Sequence, residues 1–354
     1  MIDKILRAAV QGQASDIHLA VGVPPVIRKH GELRRLDTTV LTAEHLAEYV
    51  RGLAPEQFQL ELQQTGSCNF SLELKGRAFR VNICRERRGH SIVMRLISNT
   101  ICTPEELGVA KSVIQAAKSR NGLILITGAT GSGKSTTLAS LLDMLLRTSS
   151  IRVVTIEQPI EYRFEHHERS LVTQREVPVH TRDFADAMVD SLRQDPDVLM
   201  VGELRTCAEM RVAITAAETG HLVFATLHTS SAPESVDRLV GSFPTDEQNL
   251  IRMQLGSALR AVVSQSLVPL KSGNGRVMVH EVLCANAAVS NLIRQAQTNR
   301  LESTIQTSAK DGMMMFDDHL EARYRAGLIS KETAMTYARN KAALAPKLGS
   351  SETE

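Results

Sequence analysis

Two kinds of hydrophobic pattern follow one another along the chain. Over residues 1 to about 100, a helical stretch precedes short runs of alternating apolar and polar residues, among them SDIHLAV, FSLEL and RAFRVNICR. Alternation with a period of two predicts half-buried strands, and helix-length segments near 43–52 and 55–64 interrupt them. We therefore predict a small α+β domain over residues 1–100, with one turn at His30 and Gly31.

From Gly122 onward the apolar runs become continuous, and each is followed by a segment of helical length. The runs are GLILITG, IRVVTIE, DVLMVGE and LVFATLH, and the helices are expected near 134–148, 182–194 and 206–219. Such a pattern predicts a mostly parallel sheet covered by helices on both faces. After Phe243 the pattern is mainly helical, with a hairpin in SLVPLKSGNGRVMVHEVL. We place a linker at 101–110, an α/β domain with a helical C-terminal part at 111–346, and a disordered polar tail at 347–354.

Composition narrows the class of protein. Lys and Arg number 41 against 39 Asp and Glu, so the net charge of +2 provides no broad basic field, and direct binding of nucleic acid is not expected. The five cysteines form no CxxC pair, which disfavours a zinc site and indicates reduced thiols. No apolar stretch has the length of a signal peptide core or a membrane span. We therefore expect a cytoplasmic protein.

A phosphate-binding motif lies between the first continuous apolar strand and the next helix. Residues 128–135, GATGSGKS, match GxxxxGK[ST] in the strand and helix context that the motif requires. Glycines allow backbone N–H groups to face the phosphates, Lys134 would reach the β and γ phosphates, and Ser135 would ligate Mg²⁺. We assign ATP binding to Gly128, Thr130, Gly131, Ser132, Gly133, Lys134, Ser135 and Thr136.

Two further strands end in carboxylates. DPDVLMVGE ends in Glu203, where a Walker B acid would face the Mg²⁺ or its water. VVTIEQPIEY carries Glu157 and Glu161, and we take Glu161 as the candidate general base because hydrolysis needs a group that orients and deprotonates the attacking water. Many buried strands end in an exposed Glu, so solvated loop acids remain an alternative.

Two histidines flank the strand in GHLVFATLH. Because ligands bind at the carboxyl ends of parallel strands, we expect His221 and His228 on the side of the sheet that carries the P-loop, with His228 sensing the γ phosphate. A structural histidine held by hydrogen bonds is the alternative for each. Arginines are frequent in the first domain, where they form either a solvated strand face or a source of positive charge for the triphosphate. They are Arg77, Arg80, Arg85, Arg87, Arg88 and Arg95.

Together these motifs resemble the secretion ATPase superfamily, most closely its pilus-retraction branch, the PilT-like ATPases. ITGATGSGKSTTLAS is similar to their Walker A, IEQPIEY to the Asp box, DPDVLMVGE to Walker B and TAAETGHLVFATLHT to the His box. ASDIHL, PPVIRKHGELRRL and FRVNICRERRG extend the resemblance from about residue 14 to 340. Retraction is favoured within the superfamily because the chain lacks the tetracysteine zinc insertion of the extension and export branches. The segment AVSNLIRQ also favours retraction, because it is similar to AIRNLIRE, the motif associated with the retraction branch. It departs from that motif at Val289, Ser290 and Gln295.

The resemblance implies a PAS-like N-terminal domain joined to a RecA-like ATPase domain, assembled as a homo-hexamer with nucleotide between the two domains of a subunit. It implies that Arg80 and Arg95, with Arg88 as a further candidate, act on the phosphates. It also implies an inner-membrane pilus platform protein as partner, peripheral association with that membrane, and pilus retraction powered by ATP hydrolysis with Mg²⁺.

Gln158 departs from this pattern, because the Asp box of the family reads IEDPIE and this chain has IEQPIE. The change removes a negative charge near the metal and the candidate base. We expect hydrolysis to survive it. A nucleotide-binding regulator of a paralogous pilus or secretion ATPase, with weak hydrolysis, is the alternative. A conjugative or secretion ATPase is a third hypothesis.

Overall fold

The computed structural model describes residues 2–12, 14–29, 32–74, 77–97 and 100–349. The chain divides into two compact units, one made of residues 1–100 with 159–163, and one made of 101–158 with 164–354. The insertion of 159–163 into the first unit has no counterpart in the sequence-based division. The turn expected at His30 and Gly31 lies outside the described residues.

The first unit is a sheet of antiparallel strands with the order β3-β2-β1-β6-β5-β4 and three helices. The strands are β1 Asp16–Ala20, β2 Val26–Lys29, β3 Glu32–Arg35, β4 Ser67–Leu74, β5 Arg77–Glu86 and β6 Gly89–Leu96. The helices are α1 Ile2–Gln11, α2 Ala43–Leu53 and α3 Glu56–Thr65. The predicted α+β character of this part is confirmed.

Alternation along β5 determines which side chains of the first unit reach its core. Phe79, Val81 and Ile83 are buried, whereas Arg80 between them is exposed. Because successive side chains of a strand point to opposite faces, Arg80 lies on the face that the core does not use. The rings of Phe58 and Phe70 stack with centroids 4.9 Å apart and join α3 to this core.

The second unit is built on a sheet with the order β13-β12-β7-β11-β10-β8-β9. Its strands are β7 Gly122–Thr127, β8 Arg152–Glu157, β9 Leu171–Glu176, β10 Val198–Val201, β11 Leu222–Leu227, β12 Leu259–Pro269 and β13 Arg276–Cys284. Every neighbouring pair is parallel except β12 with β13. The carboxyl ends of β7, β8, β10 and β11 therefore share one edge of the sheet, which we call the carboxyl edge; the opposite edge is the amino edge.

Helices accompany these strands along the whole unit. They are α4 Lys111–Ala117, α5 Lys134–Thr148, α6 Phe184–Ser191, α7 Cys207–Glu218, α8 Ala232–Gly241, α9 Gln248–Ala258, α10 Ala287–Arg294, α11 Leu301–Thr307, α12 Phe316–Arg325, α13 Lys331–Tyr337 and α14 Lys341–Gly349. All residues of β7, β10 and β11 are buried, as expected for central parallel strands that are covered on both faces. The predicted α/β class is confirmed.

The structure differs from the sequence-based expectations in three elements. β9 was not predicted, because LVTQRE is too polar to read as a buried strand. β12 begins at Leu259, well before the hairpin expected from sequence. The tail predicted to be disordered from 347 is helical through Gly349, where Lys347 pairs with Asp318 at 2.7 Å, and residues 350–354 lie outside the described part.

Candidate nucleotide-binding site

The P-loop connects β7 to α5 and requires glycine for steric reasons. Gly128, Gly131 and Gly133 have φ of +141°, +79° and +90°, in the left-handed region that other residues rarely adopt. A Cβ on Gly128 would also lie 2.3 Å from the carbonyl oxygen of Gln265. The loop is therefore held in a curled conformation that only glycine permits at these positions, and α5 begins directly after it at Lys134.

The loop has the features of an anion site. Within the described part of the chain, the buried Oγ of Ser132 has no hydrogen-bond partner. The Nζ of Lys134 lies 2.8 Å from the carbonyl oxygen of Gly128 and 3.1 Å from that of Ala129. A free hydroxyl, an ammonium group and the N-terminus of a 15-residue helix converge here, which suits the phosphates of a nucleotide. Thr130 and Ser135 are exposed beside them.

Gln265 forms hydrogen bonds that hold the P-loop in place, a role that the sequence analysis did not predict. Its Nε2 donates to the carbonyl oxygen of Ser132 at 2.8 Å, and its Oε1 accepts from Oγ1 of Thr137 at 3.0 Å. Its side chain is almost completely buried on β12. The strand bearing Gln265 lies more than a hundred residues after the loop, so no local pattern connects the two.

The carboxyl edge carries four polar side chains in mutual contact, which we call the strand-end cluster: Gln158, Glu203, Arg205 and His228. Oε2 of Glu203 accepts from Nε of Arg205 at 2.8 Å and lies 2.7 Å from Nη2. Oε1 of Glu203 lies 3.2 Å from Nε2 of His228. Nη1 of Arg205 donates to Oε1 of Gln158 at 3.1 Å. Of these four, Arg205 was not anticipated from the sequence.

The cluster joins the ends of three adjacent strands, β8, β10 and β11. Its members are partly exposed, with 51% of the Arg205 side chain, 44% of that of His228 and 24% of that of Glu203 accessible. A ligand at the carboxyl edge can therefore reach them. Hydroxyl and carboxylate oxygens such as those of Ser135 and Glu203 are the donors that Mg²⁺ prefers, and Mg²⁺ takes few of them when phosphates supply the rest.

His221 is not at the carboxyl edge, so that expectation is wrong. It precedes β11, and its carbonyl oxygen accepts from the N–H of Gly122 at the start of β7. Its Nδ1 lies 3.1 Å from the carbonyl oxygen of Ala216 in α7. The length of β11 separates His221 from His228 by about 20 Å. The error arose because a strand joins the two histidines, and a strand carries its two ends to opposite edges.

In the first unit, two of the expected arginines are cross-strand neighbours. Arg80 on β5 stands opposite Arg95 on β6, and Arg95 stands opposite Asp16 on β1. Nε of Arg95 donates to Asp16 at 2.7 Å, and Nη1 of Arg80 lies 4.0 Å from Oε1 of Glu161 in the 159–163 segment. Like charges placed directly opposite repel each other, so the two acids offset a cost that the pair would otherwise carry.

Asp16 is the buried anchor of this arrangement. Burial by itself would raise the pKa of its carboxyl group, but hydrogen bonds from Arg95 and Ser15, together with the Arg95 charge, leave that pKa below its ordinary value. Asp16 is therefore ionised at neutral pH and holds the guanidinium of Arg95. Sequence analysis quoted ASDIHL only as part of a resemblance and gave Asp16 no role.

A P-loop between a buried parallel strand and a helix, with an acid and a histidine at the ends of neighbouring strands, defines a P-loop nucleotide-hydrolysing enzyme. No helix in the described part of the chain combines the length and apolar character needed to cross a membrane.

Comparison with known proteins gives the family. The family described as "Type II/IV secretion system protein" matches residues 1–333, and the chain belongs to it. The type IV pilus retraction ATPase PilT of Pseudomonas aeruginosa is 41% identical over 334 residues, covering 94% of this chain and 96% of that protein. A twitching motility protein of Neisseria gonorrhoeae is 43% identical over 317 residues, covering 89% and 84%.

A solved structure extends the likeness to three dimensions. The crystal structure of the pilus retraction motor PilT with bound ADP superposes with a TM-score of 0.91 at 38% identity, covering 97% of this chain and 98% of that one. The chain is accordingly an ATPase with a RecA-like domain and a smaller N-terminal α+β domain. The resemblance inferred from the motifs is confirmed.

Proposed function

We propose that this protein hydrolyses ATP with Mg²⁺ and uses the energy to power withdrawal of a type IV pilus. The observation that carries the proposal is the P-loop with its strand-end cluster in a chain that matches a pilus retraction ATPase over 94% of its length. In this proposal the protein acts in the cytoplasm as a homo-hexamer, peripherally associated with the inner membrane through a pilus platform protein.

Each candidate residue has a role in the proposed reaction. Lys134 and the loop glycines hold the β and γ phosphates, with Thr130, Ser132 and Thr136 completing the loop. Ser135 ligates Mg²⁺, and Glu203 holds it through water. His228 senses the γ phosphate. The geometry of Ser132, Lys134 and Gln265 supports the first of these roles, because it leaves a buried hydroxyl and a lysine facing an anion site.

Three residues of the first unit complete the proposal. Arg80 and Arg95 supply positive charge to the phosphates, and Glu161 orients and deprotonates the attacking water. Asp16 holds Arg95 in place through a hydrogen bond, and Nη1 of Arg80 lies 4.0 Å from Oε1 of Glu161.

Lys134→Ala tests the proposal. The variant loses the ammonium that reaches the phosphates, so we expect ATPase activity of the purified oligomer to fall at least about 100-fold. Lys118→Ala, which removes an exposed lysine of the same unit, is the matched control and should retain activity. Cells carrying Lys134→Ala should assemble pili and fail to retract them. Normal retraction in those cells would refute the proposal.

Gln158 supports one other function, that of a nucleotide-dependent regulator beside a paralogous ATPase. A neutral residue in the Asp box lowers the negative charge near the metal, which is compatible with binding that exceeds catalysis. Comparing ATP affinity with turnover in the unmodified protein separates the two, because the regulator binds ATP tightly without appreciable phosphate release.

A further inference from the structure

We propose that Arg205 and the neutral Gln158 together set how strongly the carboxyl edge attracts Mg²⁺. Arg205 neutralises the negative charge of Glu203. Because Gln158 carries no charge, it does not compete with Glu203 for the positive charge of Arg205. The protein then requires a higher Mg²⁺ concentration for nucleotide binding than a cluster with a net negative charge would. This inference rests on the proposed use of Mg²⁺ and ATP, and it assigns a task to Arg205, a residue that the reaction scheme above does not use.

The backbone of Arg205 is held at the start of α7, and its side chain contacts the strand-end cluster. Its backbone N–H donates to Oε2 of Glu209 at 2.6 Å, and the N–H of Thr206 donates to the same oxygen at 3.0 Å. Thr206 and Glu209 form the capping box of α7, and Glu209 is buried. The backbone of Arg205 is thus fixed at the start of this helix, so its side chain has a defined reach along the strand ends.

The guanidinium of Arg205 places two of its nitrogens near Glu203 and one near Gln158. Nε and Nη2 both approach one oxygen of Glu203, at 2.8 and 2.7 Å, whereas Nη1 donates to the amide oxygen of Gln158 at 3.1 Å. Only the first partner carries a charge. A carboxylate in place of the Gln158 amide would give the guanidinium a second anionic partner, and the cluster would then carry two negative charges against one positive charge.

Charge balance matters because a divalent cation responds to the sum of nearby charges. Arg205 and Glu203 cancel each other at a distance at which the attraction between them is strong. A cation approaching Glu203 therefore meets a carboxylate whose charge is already compensated. Gln158 contributes a dipole and no charge, so it satisfies Nη1 without restoring any attraction for the metal.

Two pairs of variants separate charge from shape. Gln158→Glu adds a negative charge with the same side-chain length, whereas Gln158→Met removes the acceptor without adding a charge. Arg205→Gln removes the positive charge, whereas Arg205→Lys keeps it. Both substituted positions, Gln158 and Arg205, are exposed, so the four variants should fold, which thermal unfolding of each variant verifies.

The measurement is the Mg²⁺ concentration at half-saturation for binding of a fluorescent ATP analogue to the full-length oligomer. We expect Gln158→Glu and Arg205→Gln to lower it about three- to tenfold, with a smaller effect at high salt. Gln158→Met and Arg205→Lys should stay within about twofold of the unmodified protein, because they preserve the charge. In EDTA the effect on affinity should be opposite. The two charge-changing variants should bind the metal-free nucleotide more weakly than the unmodified protein does, because each makes the cluster more negative and so repels the phosphates.

The outcomes distinguish this inference from the proposed function. Equal shifts within each pair, or no shift beyond twofold in any variant, would overturn the role of charge while leaving ATP hydrolysis untouched. The expected shifts in a protein that binds ATP and releases no phosphate would support the inference and reject the motor. A chain that binds no nucleotide would overturn both.

Discussion

The second unit contains two groups of histidine, glutamate and arginine side chains, and they differ in what surrounds them. The strand-end cluster is partly exposed at the carboxyl edge. The other group, which we call the buried cluster, lies between β13 and the C-terminal helices and consists of the buried His280, Glu281 and His319 with the partly exposed Arg339 that pairs with Glu281. The rings of its two histidines have centroids 4.0 Å apart.

Glu281 and Arg339 of the buried cluster bond to each other and to the surrounding backbone. Glu281, 2% exposed, accepts from the N–H of Ala232 at 2.6 Å and from Arg339. Arg339 also donates to the carbonyl oxygen of Ser230 and lies 4.4 Å above the ring of Phe316. These contacts tie the segment between α13 and α14 to the loop that follows β11.

The comparison shows that residue type alone does not separate a reactive site from a structural one. Both clusters contain an ion pair and histidine, yet only the strand-end cluster lies open at the edge where ligands of parallel sheets bind. Burial makes the other cluster costly to disturb and unsuited to exchange partners. Substitutions in the buried cluster should therefore affect stability, and substitutions in the strand-end cluster should affect turnover.

The largest effect on stability is expected from Arg339→Met. The variant leaves the carboxylate of Glu281 buried without a cation, which should cost about 3 kcal/mol of unfolding free energy. Urea unfolding measures the loss. The double variant Glu281→Gln with Arg339→Met is the matched control and should recover at least half, because a neutral amide can still accept from Ala232. A loss no greater in the single variant than in the double one would contradict this.

Acid should destabilise the buried cluster next most strongly. Burial lowers the pKa of His319 to about 4 and, with the nearby His319 and Arg323, lowers that of His280 well below its ordinary value. Between pH 6.5 and about 4 the unfolded chain then binds protons that the folded chain does not, so stability rises with pH across this window and is lost on acidification.

At pH 5, His319 alone should account for a loss on the order of 2 kcal/mol relative to pH 7.5. Burial raises the pKa of Glu281, so this residue acts in the opposite direction above pH 4.5. The matched measurement is urea unfolding of His319→Gln, whose amide oxygen can still accept from the N–H of His280. The pH dependence should be smaller in the variant, and an unchanged dependence would rule out His319 as its source.

A smaller free-energy effect, confined to turnover, is expected at the strand-end cluster. His228→Asn removes the ring that contacts Glu203, and we expect kcat to fall about tenfold because proton handling or γ phosphate contact at this position is lost. Nucleotide affinity and the thermal midpoint should change little. Steady-state ATPase assays together with nucleotide titration test this, and a variant that loses affinity but keeps kcat would disagree with it.

The smallest effect is expected from His221→Asn, the corresponding change at the amino edge. Its ring only contacts the carbonyl oxygen of Ala216 near the end of α7, so the cost should be about 0.5–1 kcal/mol of stability. Its kcat should equal that of the unmodified protein. If the variant instead lost activity as His228→Asn does, the assignment of function to the carboxyl edge would need revision.

Local pattern was enough to identify much of this site. GxxxxGKS between an apolar strand and a helix identified the P-loop, and α5 begins and ends where the pattern predicts. Glu203 and His228 could be predicted because each lies within two residues of the end of a buried strand. Gln265 could not be predicted, because it contacts the P-loop from a strand that is distant in sequence. Arg205 could not be predicted either, because arginine is common on protein surfaces and the sequence does not reveal its contacts.

What the sequence by itself determined is most of the helices and strands, though not β9, and the identity of the phosphate-binding loop. Periodicity separates strands from helices. Glycine is needed at Gly128, Gly131 and Gly133 because the backbone there has a positive φ that side chains with a Cβ rarely allow. Only the tertiary structure decided which side chains meet. Strand order brings Gln158, Glu203 and His228 together at one edge, because sheet neighbours are set by packing across the whole unit and not by distance along the chain.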